Sequence, residues 1–200
     1  MKKHQKTLLL AAFLLLWGCS GGPSSDKEGQ EASRQEETIA APQDEKKLPV
    51  YYTPFDSRYS GDGFYTLING EYGNLSFSDG HWQGFREKGL DVVIDLGEVQ
   101  PIQSVTGNFL KSHIGWIFLP GSFKVYVSDD MKDYTFAGEV ITEVPPEAEE
   151  AAIEQITLDS LDVEARYVRL KIQSIGPTPD YIEDANGRPS WFFIDEVIIR

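Results

Sequence analysis

The chain has 200 residues, with 32 acidic side chains against 18 basic ones and a formal charge of −14. A surface of that sign repels nucleic-acid phosphates and anionic lipid headgroups, so nucleic-acid binding is set aside as a function. The single cysteine, Cys19, rules out an internal disulfide.

At the N-terminus, Lys2, Lys3 and Lys6 precede an apolar run, Leu8 to Leu16, that closes on Trp17-Gly18-Cys19. Positive charge before a short apolar stretch predicts a secretory signal peptide over residues 1–18. The run falls well short of the roughly 20 residues a helix needs to cross a bilayer. Leu16-Trp17-Gly18-Cys19 resembles the lipobox of bacterial lipoproteins. The resemblance implies lipidation at Cys19, attachment to the membrane through that lipid, and, with Ser20 next in line, an outer-membrane location on either its periplasmic or its cell-surface face.

Residues 19–47 are Gly, Ser, Glu, Gln, Lys and Ala with almost nothing large and apolar. Such a segment buries too little surface to offset its ordering entropy and reads as an acidic, flexible tether. From residue 48 to residue 200 the aromatic residues concentrate, and the stretch has the length of one domain.

Strand signals dominate that domain. Asp91 to Leu96 is a β-branched run stopped by Gly97, and Ser104 to Leu110 is a second. Phe123, Val125 and Val127 alternate with polar neighbours, the period of a half-buried strand. Tyr134 to Thr142, Ala152 to Leu158, Arg166 to Ile172 and Phe192 to Ile199 bring the expected number to about eight. Within Arg166 to Ile172, Val168, Leu170 and Ile172 point one way and Tyr167, Arg169 and Lys171 the other. Turn-sized gaps at Asp129-Asp130, Pro145-Pro146 and Asp159-Ser160, and no long helical period, predict an all-β antiparallel sandwich or jelly roll. Trp82, Phe85 and Trp191 are expected to fill the space between its sheets.

Four stretches in order carry a family resemblance: Leu67-Ile68-Asn69-Gly70 with Gly80 to Phe85; Val93 to Gly97; Phe123 to Asp130; and Ala165 to Lys171. Together they resemble the discoidin, or coagulation factor 5/8 type C, domain, which overlaps the family 32 carbohydrate-binding modules. Trp82-Gln83-Gly84-Phe85, Gly115 to Pro120 and Ser190 to Val197 are most similar to the module at the C-terminus of bacterial β-N-acetylhexosaminidases. The resemblance implies a discoidin-like β-sandwich that binds glycan or polysaccharide. It also implies a structural calcium held by Asn69 and Glu71, carbonyls near Thr66 and Asn74, the Asp195 carbonyl and the Glu196 side chain. Oxygen donors of this kind suit Ca²⁺. Asn69 stands where the family pattern has a carboxylate, which removes one charge from the site.

Sugar-binding relatives place the ligand on loops at one end of the sandwich. The matching connection here supplies Lys111, His113 and Trp116, with Tyr59 and Tyr181 as further stacking candidates. A ring for the apolar face of a sugar and polar groups for its hydroxyls is the composition a glycan site needs. No G-x-S-x-G elbow and no zinc-like histidine spacing occurs, and a small sandwich offers little cleft for a carboxylate pair, so the chain is expected not to be an enzyme. The alternative reading is a protein-interaction module of an outer-membrane complex, since this fold serves both uses.

Overall fold

A computed structural model describes residues 47–185 and 187–200. The expected signal peptide, Cys19 and the tether as far as residue 46 lie outside the described residues. Nine strands form: β1 (Val50–Tyr51), β2 (Gln83–Phe85), β3 (Leu90–Ile102), β4 (Val105–Lys111), β5 (Ser122–Ser128), β6 (Thr135–Ile141), β7 (Ala152–Leu158), β8 (Val163–Gln173) and β9 (Phe192–Ile199). One sheet runs β1-β3-β8-β5-β6 and the other β2-β9-β4-β7, and every strand pairing is antiparallel. Among the described residues no helix is long and apolar enough to cross a membrane.

Period-two patterning sets the faces. Val168, Leu170 and Ile172 of β8 and Phe123, Val125 and Val127 of β5 are buried, as their alternation requires. With Val92 and Ile94 from β3, Phe109 from β4 and Phe192 and Ile194 from β9, they form the core between the sheets. Burying each such side chain contributes about 1.5–3 kcal/mol. The opposite face of β8 is stitched to β3: Arg169 donates to both carboxylate oxygens of Asp91 at 2.7 and 2.8 Å, and Arg166 to both of Asp95 at 2.9 and 3.0 Å. The Arg166 guanidinium holds the Asp95 carboxyl far below the usual carboxylate range, with the Gly97 amide and Lys47 adding to it.

Phe85 packs between the sheets as expected, but Trp82 and Trp191 do not. They join Leu110, Ile117 and Phe193, with Tyr59 and Trp116 against them, in a second cluster. The strands account for this: Phe109 and Leu110 are consecutive on β4, as are Phe192 and Phe193 on β9, so alternate residues leave the inter-sheet core and project from the outer face of the four-stranded sheet. Tyr59, Phe77 and Trp82 of the segment before β2 pack on that face, while Leu67 and Ile68 of the same segment join the inter-sheet core, and the segment folds on itself so closely that a Cβ on Gly73 would lie 2.3 Å from the Trp82 indole.

Candidate functional site

Two places draw together the residues singled out in the sequence. The first is the loop of residues 69–74. The pairing of β4 with β9 shifts register at Asp195: Asn108 faces Glu196 and Phe109 faces Ile194. This bulge breaks the alternation, so two successive carboxylates reach the same loop. Asp195 accepts from the Gly73 amide at 2.7 Å and from the Asn108 side-chain amide at 2.8 Å, and Glu196 accepts from the Gly70 amide at 2.8 Å. Burial raises the Asp195 pKa, and those two donors only partly offset it.

The residues expected to hold calcium are thus neighbours, yet most of their oxygens already accept hydrogen bonds. Asn69 Oδ1 accepts from the Glu71 amide at 2.9 Å, and the Asn74 carbonyl accepts from the Trp82 indole at 2.9 Å. The Glu71 carboxylate lies 3.5 Å from His81, and Thr66 sits in the 3₁₀ turn Gly63–Ile68 with its hydroxyl toward the Ser60 carbonyl. Among the described residues no three His, Cys, Asp or Glu side chains are arranged to hold a metal. The donors fit a hard cation in kind, as a site of carbonyls, one amide oxygen and the Glu196 carboxylate.

The second place is the end of the sandwich where Phe85 faces Phe192, Lys111 faces Ala152, and Ser122 faces both Gln173 and Ile141. Tyr59, Lys111, His113, Trp116 and Tyr181 all lie here. Trp116 ends the 3₁₀ turn His113–Gly115 in the left-handed region, with φ 61°, which is costly for a bulky residue. Backbone bonds hold it there: its amide donates to the His113 carbonyl at 3.0 Å and its carbonyl accepts from the Trp191 amide at 2.9 Å. Tyr59 meets Trp191 edge to face, with ring centroids 5.4 Å apart. Trp191 itself is buried and stacked on Phe193, and the half-buried Tyr59 and Trp116 pack against the cluster it belongs to.

Guanidinium groups surround it. Arg86 lies 4.5 Å and Arg58 5.4 Å from the Trp191 ring centroid, and Arg188 lies 5.3 Å from that of Trp116. Arg58 is bound through two nitrogens to Asp56, whose pKa is lowered chiefly by that bond. Arg86 donates to the Pro189 carbonyl at 3.0 Å, while its buried Nε has no acceptor.

Lys111 and His113 are both largely buried at this end. His113 is 1% exposed and stacks on Phe118 at 4.4 Å. Its Nδ1 accepts the Glu149 amide at 2.8 Å, which places the proton on Nε2. Burial pushes this imidazole below its ordinary pKa. Lys111 pairs with Glu149 at 2.7 Å and with Glu154; burial pulls the ammonium down, but the two carboxylates outweigh it and its pKa is raised. Together they clamp the connection between β6 and β7 against a recess of about 400 Å³. Tyr181 tilts toward His113 at 6.4 Å, and its hydroxyl, like His113 Nε2, is buried without a partner.

Sequence reasoning missed Arg86 and Arg188 and placed Trp191 between the sheets. Nothing local marks Arg86: its partners, Trp191 and Pro189, come to it only through the pairing of β2 with β9.

Two antiparallel sheets packed face to face, with loops gathered at one end, form a discoidin-type sandwich. The family model for the F5/8 type C domain matches residues 55–191, and the chain belongs to that family. No curated protein matches the chain. Among solved structures it is similar to a family 32 module of Clostridium perfringens NanJ in complex with galactose, at 14% identity, covering 76% of this chain and 91% of that one, with a TM-score of 0.48. It is also similar to a chitosan-binding module from Paenibacillus sp. IK-5, at 15% identity, covering 78% and 95%, with a TM-score of 0.48. A Streptococcus pneumoniae fucose-binding module is similar at 15% identity, covering 76% and 89%, with a TM-score of 0.46.

Proposed function

We propose that this chain is a non-catalytic glycan-binding module that holds its ligand at the loop end, presented from a lipid on Cys19 at the outer membrane. The observation that carries the reading is the gathering at one end of the half-buried rings Tyr59 and Trp116 and the arginines Arg58, Arg86 and Arg188 about the buried Trp191. A pyranose offers an apolar C–H face and a rim of hydroxyls, and this end offers rings for the first and fixed donors for the second. Binding, not turnover, fits the chemistry, because the one histidine at this end is buried with Nδ1 committed to a backbone amide. A glycan array probed with wild-type protein and Trp116→Ala tests it. Saccharide binding that Trp116→Ala removes at unchanged melting temperature supports the reading, and silence from the folded protein contradicts it.

Calcium, in the same proposal, adds to a loop that amide hydrogen bonds already close, with Asn69, Glu196 and the loop carbonyls as its donors. A protein-docking role is favoured by a different observation. Phe64, Tyr65, Tyr72, Leu75 and Phe77 are all exposed along one segment, a concentration of apolar surface that docking would use. Co-purification of a partner that survives Trp116→Ala and is lost on replacing Leu75 and Tyr72 would support that reading.

A further inference from the structure

We infer that the saccharide bound at the loop end carries an anionic group, a uronate or sialate carboxylate or a sulfate ester, and that Arg86 and Arg188 receive it. The inference rests on the glycan reading of this end and narrows it to a substrate class.

Its basis is a difference among the arginines. Arg58, Arg166 and Arg169 each hold an aspartate through two nitrogens. In a chain with 32 acidic side chains, partners for a guanidinium are abundant. Arg86 and Arg188 nevertheless have no carboxylate within ion-pair distance among the described residues, Arg86 acting on Asp56 only at longer range, and each lies over a tryptophan of the loop end. The two are linked through the chain: Arg86 bonds the Pro189 carbonyl, next to Arg188, and Trp116 bonds the Trp191 backbone.

Arg86 also lines a cleft of about 310 Å³ together with Phe55, Asp56, Glu87, Lys88 and Trp191, a volume at the small end of the range for ligand pockets. Asp56 in that cleft is already engaged by Arg58. The cations lining the cleft are Arg86 and Lys88, against the one remaining carboxylate Glu87, and Arg188 lies over Trp116. Arg86 has Nη2 on the Pro189 carbonyl and Nε buried, which leaves Nη1 to offer, while the exposed Arg188 has no side-chain hydrogen bond among the described residues and keeps its fork for a carboxylate or sulfate. Stacking also fixes its orientation before the ligand arrives, which lowers the ordering cost of binding.

The overall charge of −14 sharpens the class. At physiological salt fields are screened beyond roughly 8 Å, so an anion at the arginines is attracted locally while a long polyanion crossing the acidic surface is repelled. The structure assigns this end to short saccharides with one or a few anionic groups.

The test is a glycan array of neutral, uronate-bearing, sialylated and sulfated saccharides, probed with the full chain. Each hit is then titrated by calorimetry beside its carboxyl-reduced or desulfated counterpart. Hits confined to anionic saccharides, weakened at least about tenfold in the neutral counterpart and again in Arg86→Gln, support the inference. Whichever counterpart loses affinity identifies the anion as carboxylate or sulfate. Arg188→Gln, at an exposed position, gives the same reading without risk to folding. Equal binding to a hit and its neutral counterpart overturns the anionic class while leaving the glycan reading standing. No hit in any class, from a protein that melts cooperatively, overturns both.

Discussion

The outer face of β8 and the loop end use one side chain in opposite ways. On β8, Arg166 and Arg169 are locked to Asp95 and Asp91, and Arg169 is further covered by the Tyr52 and Tyr134 rings. At the loop end Arg86 and Arg188 lie over indoles without a carboxylate in ion-pair contact among the described residues, Arg86 acting on Asp56 only at longer range. Pairing every charge rigidifies a surface; leaving it stacked but unpaired costs stability that only a ligand recovers. On the proposed reading, the contrast separates residues that hold the sandwich together from residues that receive a ligand.

The largest stability effect is expected on the paired face. Arg169→Ala strands Asp91, whose side chain is 22% exposed, and should cost about 1–3 kcal/mol, lowering the melting temperature without changing glycan affinity. Next comes pH. Because burial depresses the His113 pKa, the unfolded chain takes up the proton more readily than the folded one. That contribution is present in full above about pH 6.5 and is lost as pH falls through the lower folded value. His113→Gln should flatten the melting-temperature profile between about pH 7 and 5.5; an unchanged slope would break the link between His113 and the connection that it clamps.

Calcium should do less. With Gly70 and Gly73 already donating to Glu196 and Asp195, adding calcium is expected to raise the melting temperature by only a few degrees over chelator. A far larger rise would mean that the cation, not the amides, closes the loop. The smallest effect belongs to Arg188→Gln, which should leave stability within about 0.5 kcal/mol of wild type, as befits an exposed side chain kept for binding.

Much of the sandwich was legible. Alternation in Ser122–Ser128 and in Val163–Gln173 is strong enough to orient β5 and β8 from sequence, because each has one wet and one dry face. β1 and β2 were not legible: with two and three residues they have no period to read, and each exists only by pairing with a distant strand, β1 with β3 and β2 with β9. The bulge at Asp195 was equally hidden, since Asp195-Glu196 looks like an ordinary strand pair until the loop carrying Gly70 and Gly73 reaches it. At the loop end, composition brought Tyr59, Lys111, His113, Trp116 and Tyr181 together, but not the pairing of Lys111 with Glu149 and Glu154 or the Glu149 amide on His113, which come from another connection and strand.

The most direct test uses the tryptophans as reporters. In a ¹H–¹⁵N spectrum, the indole signals of Trp116 and Trp191 should shift on titration with a saccharide that the array identifies. The Trp82 signal, bonded to the Asn74 carbonyl beneath the other loop, should stay in place. Movement of Trp82 alone, or of none of the three at saturating saccharide, would contradict a ligand site at the loop end.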